Sequence, residues 1–241
     1  MQLTVQQIQE IKKYPNSIYT QIKQEFLYHS NKIEGSTFTR ENLASYLDQK
    51  IIEGSHKVDD VFETINSVDL FDFTVDTLSE PLTKRLILEY HRMLKLNTRD
   101  AEYGFSGCWK KIPNYISGSK AQVAQPYEVD AKIEELLSWW EQCEKAFEDI
   151  VAFHVQFESI HPFQDGNGRV GRFIMLKQCL ENGVGLIAID EKYEKQYKEG
   201  LQKMQTMQDM SDLLEVLKKC QEFLSDKTIE LSNTIKCLEQ S

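Results

Sequence analysis

Twelve residues, His161 to Arg172 in the run HPFQDGNGRVGR, bring a histidine, a carboxylate, three glycines, an asparagine and two arginines into one short segment. Histidine titrates near neutral pH, so His161 is suited to take a proton from an attacking hydroxyl. Asp165 offers a carboxylate oxygen of the kind that holds Mg²⁺ while the metal also bridges phosphate oxygens. Gly166 and Gly168, on either side of Asn167, lack the side chain that would keep a phosphate away from the backbone amides. If a helix begins near Arg169, its first amides and its dipole deepen the same anion hole. Arg169 and Arg172, three apart, then occupy neighbouring helix positions from which two guanidinium groups grip adjacent phosphates. These are the parts of a nucleotide-handling site.

The glycines also spell GxGxxG (Gly166, Gly168, Gly171), the fingerprint of a dinucleotide-binding strand–turn–helix, and Asp190 follows an apolar run about twenty residues later. That alternative needs a strand directly before the glycines and a parallel sheet around it. Residues 147–160 carry helical periodicity instead, with Phe147, Ile150, Val151, His154, Val155 and Phe157 largely on one side. His154 falls on this apolar face and reads as a packed structural histidine, while His29, His56 and His91 show no clustering with Cys or carboxylates that points to a metal.

The elements that must position the motif are mostly helical, and the expected fold class is mainly α. Three helices are expected before residue 76, on the stripes Ile8, Ile11, Tyr14; Ile22, Phe26, Leu27; and Leu43, Tyr46, Leu47, the last capped by Thr39 with Asn42 as its third residue. Pro81 marks the first turn of another helix with the stripe Leu82, Leu86, Ile87, Tyr90, Met93 and Leu94. Between Gly104 and Pro126, glycines and prolines punctuate a segment expected to form a short β-hairpin with loops. Helices are expected over 129–140, 147–160, 169 to about 181 (ended by Asn182 and Gly183), 190–204 and 211–224, with LIAID too short to anchor a sheet.

A chain of 241 residues with 41% hydrophobic and 27% charged residues is long and apolar enough to bury a core as one compact unit. Its net charge of −10 argues against general affinity for nucleic acid or an anionic membrane, both of which reward a basic face. Cys108, Cys143, Cys179, Cys220 and Cys237 are widely spaced without a CxxC pair and read as reduced thiols. No basic start followed by an apolar stretch opens the chain and no apolar run approaches eighteen residues, so a cytoplasmic location is expected.

HPFQDGNGRVGR resembles the signature HPFx[D/E]GNGRxxR of Fic-domain proteins at every fixed position, and the resemblance extends over roughly residues 82–224. It implies a compact helical domain with a β-hairpin flap that transfers AMP from ATP, with Mg²⁺, to a Ser, Thr or Tyr hydroxyl of a protein. It implies His161 as general base, Asp165 as the metal ligand, Gly166 to Gly168 with Asn167 as phosphate cradle, and Arg169 and Arg172 on the distal phosphates. Its flap, residues 110–127 here, docks the target protein by strand addition; this chain lacks the proline pair many relatives carry there. Upstream, SNKIEG (Ser30 to Gly35), within an N-terminal segment 1–75, resembles the inhibitory motif [S/T]xxxE[G/N] of one class of these proteins. That match implies that Glu34 reaches Arg172 and holds ATP in a nonproductive pose. Tyr197 and Gln205 fall near positions that line the adenine pocket, and residues 225–241 read as a tail. Relatives often self-associate, so a homo-oligomer is among the expectations. Two alternatives share these motifs: a hydrolase that removes AMP, and a catalytically idle ATP-binding module, against which an intact His161 argues.

Overall fold

Two consecutive helices joined by the motif loop carry the centre of the protein. The apolar side of residues 147–160 becomes α8 (Phe147–Ile160), with Ile150, Val151, Phe153 and Phe157 wholly buried. Its start is fixed by the Asp149 carboxylate, which accepts the Ala146 N–H at 3.0 Å. The chain re-enters helix as α9 (Asn167–Asn182), which packs against α8 and stops at Gly183 in the left-handed conformation. The computed structural model describes residues 5–14, 17–116 and 122–222. Around the central pair lie α1 (Val5–Ile11), α2 (Ile18–Ile33), α3 (Arg40–Gln49), α4 (Val58–Asp76), α5 (Lys84–Leu94), the single turn α6 (Arg99–Glu102), α7 (Val129–Gln142), α10 (Glu194–Met207) and α11 (211–222). No described helix is long and apolar enough to cross a membrane.

Helix α2 is part of the core. It packs against α4 and α9, and Phe26 meets the rings of Phe71 and Phe173 at 5.6 and 5.2 Å. Each such buried aromatic stabilises the fold by about 1.5–3 kcal/mol relative to an exposed one, so Phe26 anchors α2 against α4 and the motif helix.

Among the described residues, four helices, not three, precede residue 77. The additional one, α4, turns polar residues inward, which blurs its apolar stripe: Asn66 Nδ2 donates to the carbonyls of Leu94 (2.9 Å) and Leu96 (2.7 Å), and the hydroxyl of Thr74 donates to its own helix at Leu70. The capping of α3 is as expected, since Thr39 and Asn42 exchange hydrogen bonds. Helix α5 begins later than Pro81; Thr83 caps it by accepting the Leu86 N–H. Asp190 starts a 3₁₀ turn rather than α10 itself.

The expected β-hairpin is absent among the described residues, of which none is in a strand. The first arm is tied to the motif loop instead of to its neighbour. Lys110 N–H donates to Pro162 O at 2.8 Å, Ile112 N–H donates to the Gln164 side chain, and Asn114 Nδ2 donates to Phe163 O at 2.8 Å. The centre of the flap, residues 117–121, lies outside the described residues, as do Cys237 and the tail from 223. The other four cysteines are free thiols.

Candidate active site

Sequence neighbours 161–166 leave α8 and enter α9 through two left-handed residues. His161 closes α8 at φ 52, unusual for a residue with a side chain, and its N–H stays on Phe157 O at 2.9 Å. Gly166 opens α9 at φ 82; a Cβ there would lie 3.0 Å from Lys95 Cε and 3.2 Å from Leu94 Cδ2, so only glycine fits. Between them Phe163 is wholly buried and stacks on the His91 ring at 3.8 Å. Asn167 ties the loop to itself: its Oδ1 accepts the Phe163 N–H (2.7 Å) and its Nδ2 donates to Phe163 O (2.9 Å). The side chain of Asn167 is therefore committed to the loop, and its backbone amide remains for an anion.

His91, without a motif of its own, supports the same loop. The Gly107 N–H donates to its Nδ1 (3.1 Å), which places the ring proton on Nε2, and Nε2 donates to the Asp165 carbonyl at 3.0 Å. Burial, reinforced by Lys95, pushes His91 down to about 3, so it stays neutral.

His161, Asp165, Gly168, Arg172, Glu34, Tyr197 and Gln205 line one cleft of about 840 Å³. Burial, helped by the Lys110 ammonium, pushes His161 down to about 4, below the near-neutral value its type alone leads one to expect. A neutral ring at physiological pH follows. Its Nδ1 is shut off from solvent, which leaves Nε2 as the nitrogen open to exchange. Tyr197, 2% exposed, bonds His154 Nε2 at 2.6 Å, and that contact accounts for the buried histidine on the apolar face of α8. Gln205 Nε2 is buried in the same wall with no hydrogen-bond partner among the described residues.

Arg172 is buried and held by three hydrogen bonds. Its Nε donates to Ser30 Oγ and its Nη2 to Ser30 O, both at 2.9 Å, while Nη2 also donates to Glu34 Oε1 at 2.7 Å. Burial works against the charge on Glu34, but Arg172 and Arg169 outweigh it and hold the carboxyl below its usual range. Gly168 makes this contact possible, because a Cβ there would stand 2.3 Å from Glu34 Oε1 and 2.9 Å from Arg172 Nη1. Ser30 and Glu34, 138 or more residues upstream of Arg172, thus meet the motif helix at its N-terminal turns.

Gly166, Asn167, Arg169 and Ser30 are not on the cleft wall among the described residues. Arg169 Nη1 donates to Glu63 Oε2 at 2.5 Å, and its Nη2 lies 3.6 Å from Asp165 Oδ2. Asp165, with its side chain 60% exposed at the cleft rim, is bonded through the same Oδ2 by Lys95. Burial opposes its ionisation, yet Lys95 and Arg169 together hold it down at about 2. The exposed Asp165 carboxylate at the cleft rim suits Mg²⁺, which keeps several waters and takes one or two carboxylates plus phosphate oxygens. Glu63, Asp100, Lys95 and Lys110 carry no sequence signal for this site, because only the fold brings each of them from a distant part of the chain to the motif residue it faces.

Glu158 also lines the cleft, almost wholly buried, with Oε1 unpartnered and 2.6 Å from where a Gly171 Cβ would be. Burial pushes its carboxyl up to about 8 despite Arg172, so it holds its proton at neutral pH.

The profile of the Fic/DOC family matches residues 81–179. A probable protein adenylyltransferase of Aquifex aeolicus is 36% identical over 96 residues, 38% of this chain and 30% of that protein. The protein adenylyltransferase Fic of Nematostella vectensis is 26% identical over 180 residues, 73% of this chain and 42% of that protein. The chain therefore spans less than half the length of these curated relatives. The crystal structure of a Fic domain containing signaling protein from Bacteroides thetaiotaomicron superposes with a TM-score of 0.73 at 22% identity, covering 98% of this chain and 97% of the other. The Fic/DOC profile ends inside α9 and the described fold is shared with that structure, so residues 81–179 of this chain form a Fic/DOC domain.

Proposed function

We propose that this protein transfers AMP from ATP to a Ser, Thr or Tyr hydroxyl of a protein and that its own Glu34 restrains the reaction. The observation that carries the reading is the 2.7 Å bond from Arg172 to Glu34 inside the cleft that His161 and Asp165 also line. A carboxylate on that guanidinium occupies donors that a terminal phosphate would otherwise take. In the proposed reaction the hydroxyl oxygen attacks the α-phosphorus, the bond to the bridging oxygen of the β-phosphate breaks, pyrophosphate leaves, and the proton passes to His161 Nε2. The low basicity of His161 keeps it free of a proton before attack, and Asp165 and an incoming phosphate raise its affinity for one as the nucleotide binds. Asp165 is the residue that would hold Mg²⁺, and the ion when bound neutralises phosphate charge during transfer.

Backbone amides around Gly168 and the start of α9 give the phosphates their cradle, and Arg172 clamps the distal one once Glu34 withdraws. Tyr197 and Gln205 in the far wall are suited to the base. For the protein substrate, the described arm of the flap offers Ile112, 54% exposed, and Tyr115, 82% exposed, next to the cleft. The curated relatives named as adenylyltransferases support the same reaction class.

The test is intact-mass analysis of the full chain and of a lysate after incubation with ATP and Mg²⁺, with the parental protein and Glu34→Gly in parallel. An added AMP that depends on His161 and grows in Glu34→Gly is expected. No adduct from either protein, with ATP binding intact, would overturn the transferase reading.

A further inference from the structure

Beside the cleft, oxygens of Glu63, Asp100 and Asp165 lie within 4.8 Å of one another, an arrangement able to surround a cation. The place is taken. Lys95, 1% exposed, reaches in from the end of α5 and bonds all three: Glu63 Oε1 at 2.5 Å, Asp100 Oδ2 at 2.8 Å, and Asp165 Oδ2. Glu63 divides its two oxygens between this ammonium and Arg169 Nη1. Arg169 accordingly turns toward the acidic cluster; it is absent from the cleft wall among the described residues, and its Nε is buried without a hydrogen-bond partner.

We propose that the Lys95 ammonium stands where a metal ion would otherwise sit among Glu63, Asp100 and Asp165, and that Lys95, Glu63 and Arg169 thereby position the Asp165 carboxylate for a cation that arrives with nucleotide. The proposal rests on Asp165 being the metal-holding carboxylate of the transfer reaction. Its physical basis is charge and space. Three ionised carboxylates this close repel one another unless a cation lies between them. A lysine supplies that cation permanently, as a point charge with three donors, one for each carboxylate. A divalent ion free to settle in the cluster would draw Asp165 inward; Lys95 forecloses that and leaves Asp165 at the rim, where phosphate oxygens complete the coordination. Arg169, in this arrangement, is a positioning residue that braces Glu63 and Asp165 rather than a phosphate clamp.

The experiment titrates MnCl₂ into the full chain and follows free Mn²⁺ by electron paramagnetic resonance, with and without the non-hydrolysable analogue AMPPNP. The parental protein should bind Mn²⁺ appreciably only with AMPPNP. Lys95→Met, close in shape and without the charge, should bind one Mn²⁺ without nucleotide, about tenfold or more tighter than the parental protein. Lys95→Arg should behave as parental, and adding Glu63→Gln to Lys95→Met should remove the gained binding. Should Lys95→Met need the ion to fold, its melting temperature will rise with Mn²⁺ while that of the parental protein stays level. A Lys95→Met protein with parental helicity and no added Mn²⁺ affinity would overturn the proposal. The single variant Glu63→Gln keeps the lysine and tests the positioning arm: Mn²⁺ affinity in the presence of AMPPNP should fall severalfold, and an unchanged affinity removes that role. Adduct formation, measured separately, tells the fates apart: gained Mn²⁺ binding without any AMP transfer by the parental protein leaves this cluster as described and removes only the reaction.

Discussion

Replacing Glu34 by glycine should raise AMP transfer by roughly ten- to a hundredfold, and the geometry around Arg172 sets that range. Glu34 gives Arg172 one charge-assisted hydrogen bond at 2.7 Å, and Ser30 gives it two acceptors at 2.9 Å. A hydrogen bond to a charged group is worth about 1.5–3 kcal/mol net, which corresponds to about one to two powers of ten in an equilibrium. The Glu34 side chain is 30% exposed, so water competes for it and the lower half of that range is favoured. If Glu34 is bound in about nine molecules of ten or more, releasing it multiplies the productive fraction by the same factor. Arg172 should stay in place in the variant because both Ser30 contacts persist. The assay is kcat/KM for ATP, read from AMP incorporation into the protein itself or a target. Glu34→Gln, which keeps the shape and removes the charge, should show much of the gain. Arg172→Ala should be inactive, and Glu34→Gly should not rescue it. Equal kcat/KM for the parental and Glu34→Gly proteins across ATP and Mg²⁺ concentrations would refute the reasoning.

His161→Ala should abolish transfer while ATP binding, followed by calorimetry, changes little; parental rates in that variant would remove the base assignment. Because His161 in the free protein protonates only near pH 4, kcat/KM should not fall between about pH 8 and pH 6, and Lys110→Met, which takes away a neighbouring positive charge, should move its acid limb upward. Thermal stability should peak near pH 6.5. Folded His91 and His154 stay neutral down to about 3 whereas the unfolded chain protonates them near 6.5, so stability falls as pH drops below that point, by about 1.4 kcal/mol per pH unit for each. Folded Glu158 keeps its proton up to about 8 against 4.5 unfolded, so its contribution falls as pH rises through that window, and a melting temperature that climbs steadily from about pH 5 to about pH 8 would contradict the pairing. Phe26→Ala should cost about 3–5 kcal/mol in urea denaturation, since the ring fills the contact between α2, α4 and α9; a loss under about 1 kcal/mol would show that α2 is not held by its core face.

Local pattern carried α2, α3, α8 and α9, because their apolar stripes and caps lie within a single helix length. The motif glycines read in sequence as a close approach of backbone to phosphate; the structure adds a positive φ at Gly166 and the Glu34 carboxylate packed against Gly168. Helix α4 was not, since its inward face uses Asn66, Ser67 and Thr74, whose hydrogen bonds are invisible in a hydrophobic pattern. The hairpin failed for a related reason: turn residues signalled a bend, while the backbone partners of the arm turned out to be Pro162, Phe163 and Gln164 in another part of the chain. The Glu34–Arg172 contact was legible only through the family resemblance, because nothing in local sequence links positions 138 apart. The Lys95 cluster had no such aid. A lysine just past an apolar stripe reads as a solvated helix end, and only the fold shows it buried.

Glu34 is the cap of α2, with Gly35 directly behind it at φ 82 and Phe26 two turns earlier locked into the core. Under the proposed function the restraining carboxylate therefore sits at the end of a helix packed into the core, and its release needs only a change of side-chain rotamer. Side chains at helix ends change rotamer in picoseconds to nanoseconds, far faster than any enzyme turnover. Release and recapture should thus be in constant pre-equilibrium with catalysis. Progress curves should start without a lag, and truncation before residue 34 should unfold the protein instead of waking it. On that proposal, the activity of each molecule is a time average, tuned by how strongly its surroundings favour one carboxylate rotamer over another.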